Sequence, residues 1–147
     1  MRKVALALLA TLACSGKPSG PASLDPRNDA CAYCRMAVSD PRFASQLVAP
    51  REEPRFFDDL GCLRDFLRDG PPPPGAVAFV ADHRTREWIP AAGAVYTRNP
   101  RVQTPMGSHL VAHRDAASRD ADRAIAGGTS MTAAEIFGPA GPPDGRR

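Results

Sequence analysis

A chain of 147 residues is long enough for one ordinary domain, or for two very small modules sharing a core. Its 12 glycines and 16 prolines exceed the usual share but stop short of the composition of a disordered chain. The 19 basic residues face 16 acidic ones, and Arg2 and Lys3 lie in a leader expected to be removed; the near-neutral remainder, without a basic cluster, argues against a nucleic-acid binder.

The chain opens on Met-Arg-Lys followed by an apolar run, residues 4–13, that is too short to span a bilayer as a helix. A basic start and about ten apolar residues read as a secretory signal peptide over residues 1–13. Thr11-Leu12-Ala13-Cys14 resembles a bacterial lipobox, which makes Cys14 the expected lipidation site. Residues 14–28, rich in Gly, Pro and Ser, read as a flexible tether holding a domain off the membrane. The expected location is the bacterial cell envelope, facing the periplasm. Residues 29–137 form the expected domain, in modules of about 29–82 and 83–137, and residues 138–147 read as a disordered tail.

Within the domain, residues 43–49 and 54–57 read as two strands joined by the polar turn at Pro50. Asp58 or Asp59 is placed to cap a helix reaching about Arg68, with Leu60, Leu63, Phe66 and Leu67 on one face and Cys62 at the edge of that face. The prolines 71–74 end it, and residues 77–81 read as another strand. Residues 88–90 and 94–97 are short strand candidates, and residues 109–113 are a further strand. A helix is expected over 115–126, stopped by Gly127-Gly128, and a short segment at 132–137 completes the core. The order strand, strand, helix, strand thus recurs, giving an α+β chain.

The most informative stretch is Cys31-Ala-Tyr-Cys34-Arg-Met36. Haem attachment needs His after the second Cys, and position 35 is Arg. A thioredoxin-like pair needs a long helix to follow, for which Pro41 leaves little room, although Thr104-Pro105 imitates the proline that faces such a pair. A structural zinc site needs a second Cys or His pair, where the chain offers Cys62 and three scattered His. Cu(I) accepts two to four ligands and favours thiolate and thioether sulfur, and methionine supplies sulfur that cannot form disulfides. Cys34 and Met36 are two apart, so an extended segment would point both the same way. Met36 as core filling and Cys62 as a small buried hydrophobe are the plainer readings. Removing Cys14 leaves three cysteines, an odd number for an oxidising compartment, so one lacks a disulfide partner. Met106 lies between Pro105 and Gly107 in a turn, where packing gives a methionine little reason to be, and His109 follows closely.

Taken together, Asp29-Ala-Cys-Ala-Tyr-Cys-Arg-Met36, Phe56-Phe-Asp-Asp-Leu-Gly-Cys62, Trp88-Ile89 and Thr104-Pro-Met-Gly-Ser108 resemble the NosL family of lipoprotein copper chaperones, which help assemble the copper centre of nitrous oxide reductase. The resemblance covers about residues 29–137. It implies two small ββαβ-type modules in one core, Cu(I) bound by Cys and Met sulfur, and delivery to a partner without catalysis. The implied ligands are Cys34, Met36 and Met106, then Cys31, with His109 and Cys62 as further candidates. Implied partners are a copper transporter or membrane complex, nitrous oxide reductase or another copper enzyme, and the membrane through the lipid anchor. Two positions depart from the family pattern. Arg35 replaces the usual Gly of Cys-Gly-Met and sets a cation near the metal. His109 replaces the Gly that commonly follows Gly-Ser, and enlarges the ligand set. The competing readings are a periplasmic thiol-disulfide protein using Cys31 and Cys34, and a lipoprotein in which those two form a stabilising bridge.

Overall fold

The computed structural model describes residues 20–146. The expected leader, Cys14 and the first part of the tether lie outside them.

Two short antiparallel sheets carry the fold. In the first, β1 (Ser45–Val48) pairs with β2 (Arg55–Phe57) on one side and β3 (Val77–Ala81) on the other, and β3 pairs with β4 (Trp88–Pro90). In the second, β5 (Val95–Arg98) lies between β6 (Leu110–His113) and β7 (Thr129–Met131). Helix α1 (Leu60–Asp69) links β2 to β3, and α2 (Ala116–Ala121) lies between β6 and β7. Each half therefore runs strand, strand, helix, strand, with its first strand central in the sheet. This is the expected α+β arrangement of two ββαβ units. Helix α3 (Ala133–Phe137) closes the chain against α1, begun by a capping box between Thr132 and Glu135.

One core serves both units. Phe57, Leu60 and Leu63 from the first pack with Tyr96, Leu110, Ile136 and Phe137 from the second. Tyr96 brings a hydroxyl into this apolar interior and satisfies it on the Ala91 carbonyl at 2.6 Å. Buried Gln46 on the central strand β1 is satisfied by the Ala22 backbone, accepting from its N–H at 2.7 Å and donating to its carbonyl at 3.1 Å. Residues 20–28, expected as free tether, are thus partly tied to the domain, with Leu24 packed on the core.

Asp82 makes the seam between the sheets. It forms a parallel bridge with Ala112, and its buried carboxylate accepts from the N–H groups of Arg84, Thr85 and Arg114 and from the Ser118 hydroxyl. Burial pushes this carboxyl up, but the four hydrogen bonds outweigh it and hold the pKa down at about 2.

Three further expectations change, and one strand was unforeseen. Residues 88–90 belong to the first sheet, because Trp88 pairs with Ala81, so the second unit begins nearer Val95 than residue 83. The helix expected over 115–126 stops at Ala121. Asp122 is extended, caps a 3₁₀ turn at Arg123–Ile125 through the Ala124 N–H, and is drawn inward by His83 and His113. The following strand β7 lacks any apolar alternation. It docks because Gly128 approaches β5 so closely that a Cβ there would lie 2.5 Å from the Thr97 methyl. The tail, expected to be disordered, is ordered as far as Arg146: Ala78 donates to Pro143 and Gly145 to Ala76, continuing the edge of β3 beyond the end of β4.

Asp82→Ala would strand four donors at the seam, at a cost of about 3 kcal/mol. Because its pKa is depressed in the folded state, the carboxylate's contribution is fully present above 3.8 and is lost as pH falls through about 2. Denaturant unfolding of the variant and parent at pH 7 and at pH 2 should therefore give a difference that shrinks at the lower pH.

Candidate metal centre

The segment 31–36 is a tight turn on the free edge of β2. Cys31 N–H donates to the Met36 carbonyl at 2.7 Å, Ala30 pairs with Ala37, and Ala32 N–H donates to the Phe56 carbonyl at 2.7 Å. Strand β2 then runs into Asp58, Asp59 and α1, which brings Asp58 and Cys62 to the same point. One sulfur each from Cys31, Cys34 and Cys62 and one carboxylate oxygen from Asp58 lie within 4.8 Å of one another. All three are free thiols, and only Cys34 is open to solvent. Its thiol donates to both Asp58 oxygens, at 3.4 and 3.5 Å.

The thiols are electrostatically unequal. The neighbouring Cys62 thiol lowers the Cys31 pKa to about 6, while Cys62 is itself pushed up by Cys31 and by burial. Burial raises Cys34, and its interaction with Cys31 adds to the effect. The first thiolate of the cluster is therefore the buried Cys31, 1% exposed.

A second loop completes the site. Asp59 caps α1 through the Gly61 N–H at 2.6 Å, and its other oxygen accepts the Met106 N–H at 2.9 Å, 47 residues along the chain. Burial raises its pKa, but hydrogen bonds from Ser108, Thr104, Gly61 and Met106 leave it below the usual carboxylate range. Gly61 permits this docking, since a Cβ there would lie 2.9 Å from Ser108 Cβ. The result is a cleft of about 510 Å³ whose wall includes Cys34, Cys62, Met106 and Met131.

Cys31, Cys34 and Cys62 are thus brought together, and Met106 shares the cleft with the last two. Met36, 58% exposed, does not line the cleft, and the turn removes the extended geometry that would have aligned it with Cys34. The His109 ring faces the Val102 carbonyl through Nδ1 at 2.9 Å and joins neither the thiol cluster nor the cleft wall. Sequence reasoning missed Asp58 as a partner of the thiols and Met131 as a cleft residue. The paired aspartates of Phe56-Phe-Asp-Asp-Leu-Gly-Cys62 were the available signal for the first, whereas Met131 lies on the unrecognised β7.

A family model described as NosL matches residues 21–138. The chain belongs to the NosL family. No curated protein matches it. Membership in this family of copper-binding accessory proteins and the clustered cysteines fit a copper-binding role. Thiolate and thioether donors favour a soft ion over a hard one. No helix among the described residues is long and apolar enough to cross a membrane.

Both departures from the NosL pattern fall on left-handed backbone: Arg35 has φ 69° and His109 φ 60°. The glycine usual at each place is therefore explained by conformation. Arg35 is exposed, so it need not stand over the cluster.

Arg35→Gly should relieve roughly 1–2 kcal/mol of left-handed strain and give back part of it as chain entropy. The expected net gain of about 0.5–1 kcal/mol is readable as a rise of a few degrees in Tm. In the metal-free, reduced protein, thiolate absorbance near 240 nm should show one group titrating near pH 6 that disappears in Cys31→Ser. Because that pKa lies below its usual 9.0, the stability the thiolate adds is fully present above pH 9 and lost as pH falls through about 6.

Proposed function

We propose that the chain is a cell-envelope Cu(I) carrier, secreted through residues 1–13, anchored by a lipid on Cys14 and facing the periplasm, that passes copper to a copper enzyme, with nitrous oxide reductase as the first candidate. The carrying observation is the set of three thiols and one carboxylate within 4.8 Å beside a cleft walled by Met106 and Met131. Cys34, open to the cleft, and Met106 are the entry ligands, with the Cys31 thiolate behind them. Cys62 keeps Cys31 ionised, and Asp58 accepts from Cys34 until copper displaces the thiol proton. Met36, exposed nearby in sequence, offers a thioether for the handover. A soft ion in two- to four-coordination leaves a side open to an incoming ligand, so copper passes by ligand exchange without an intervening free ion.

The thiol-exchange reading fits less well. A redox nucleophile must be both ionised and accessible. Here the ionised thiol is buried, and the accessible one has its pKa raised.

Anaerobic competition of the reduced protein against a Cu(I) chelator tests the proposal. One equivalent should bind, with affinity at least tenfold lower in Cys34→Ser and in Met106→Ala. Unchanged affinity in both variants would sink the assigned site. Mixing the loaded protein with metal-free nitrous oxide reductase should move copper to the enzyme faster than it moves to free solution chelator, and equal rates would remove the delivery step.

A further inference from the structure

Outside the sulfur cluster, three side chains from three segments converge on one buried point. His83 lies two residues beyond the end of β3, His113 ends β6, and Asp122 lies at the exit of α2. Asp122 Oδ2 is 2.6 Å from His83 Nδ1 and 3.0 Å from His113 Nε2. His83 is 5% exposed and His113 0%. The outer nitrogens, His83 Nε2 and His113 Nδ1, are buried without a partner, so each ring is fixed through its inner nitrogen alone. Phe43 packs on the His83 ring at 5.3 Å and belongs to a small apolar cluster with Val102, Val111 and Ile125. Asp122 also lines a surface cleft of about 420 Å³ with Arg119, Arg123 and Gly127, so its carboxylate can be reached from outside.

We infer that His83, His113 and Asp122 form a second metal site, for a divalent ion of the zinc class. Two neutral imidazoles and one carboxylate are the donor types that such an ion takes, and three protein ligands leave a position for water. The set contains no sulfur, which separates it chemically from the thiol cluster. Binding moves the inner N–H proton of each ring to its outer nitrogen, so that the freed inner lone pair meets the ion, and it parts the rings from Asp122 Oδ2, now 2.6 and 3.0 Å away, to admit the ion between them.

The placement says what the ion does. His83 N–H donates to the Ala112 carbonyl at 2.8 Å, beside the Asp82 bridge that joins the two sheets. An ion on His83, His113 and Asp122 ties the end of β3 to β6 and to the turn after α2. It is a staple across the two units, independent of copper carriage.

The test is long-range proton–nitrogen correlation on reduced protein labelled with ¹⁵N-histidine, titrated with Zn²⁺ to two equivalents. His83 Nδ1 and His113 Nε2 should move to metal-bound shifts while His109 stays in place. Zn²⁺ held only by the thiols would leave both rings unmoved, and that result overturns the inference. In a variant with Cys31, Cys34 and Cys62 all replaced by Ser, Zn²⁺ should still raise Tm. Asp122→Asn, which keeps the shape, should then weaken Zn²⁺ binding at least tenfold; undiminished binding also overturns it.

Discussion

The site depends on two adjacent carboxylates at the start of α1 that face different ways. Asp58 accepts from Cys34, and Asp59 accepts from the backbone of Met106 while capping the helix. Both are buried, which is costly for a charge unless hydrogen bonds replace the lost water. For Asp59 those bonds come from the helix N-terminus and from a loop of the other ββαβ unit, so the cost of burying it is offset only when the two units are docked. Docking and site assembly are therefore one event. Gly61 enforces the same coupling sterically, because the helix and the Thr104-Pro-Met-Gly-Ser loop meet where no side chain fits.

Much of this was legible in the sequence, and what was not has physical reasons. Residues 77–81 and 88–90, and the helix capped at Asp59, follow from local pattern and turn chemistry. The sheet membership of β4 did not, since strand pairing is decided by tertiary contact. The helix expected through residue 126 fails at Asp122, where two buried histidines compete for the side chain and extend the backbone. Apolar periodicity cannot register a polar residue being drawn inward. Strand β7 and the ordered tail exist because edges were available, with Gly128 lying flat on β5 and residues 143–145 filling the part of β3 that β4 leaves unpaired. Neither has an inherent strand signal.

The sulfur side chains illustrate the same division. That Cys31, Cys34 and Met106 would lie near one another was readable from motif and resemblance; that Met36 stands apart was not. Which thiol ionises was not, because the order depends on the donor each sulfur receives. Cys31 and Cys62 have similar burial yet shift in opposite directions, because each acts on the other and only one of the pair ionises readily. The departures at Arg35 and His109 are conformational in the same sense, for a motif reports a residue type without its φ angle.

The two clusters place soft and borderline donors in separate parts of one small fold. Thiols and thioethers line an open cleft, with half-exposed Met106 on a loop, where an ion can arrive and leave. The imidazoles and Asp122 sit in the interior at the seam, where a bound ion would exchange reluctantly and act on the scaffold. Mixing the donor types would give a site better able to trap a divalent ion. With the imidazoles held apart and His109 turned to the Val102 carbonyl, the cluster beside the cleft is left with sulfur and the Asp58 carboxylate. Its rigidity then comes from the Asp59 clamp, and its lability from the exposed sulfur.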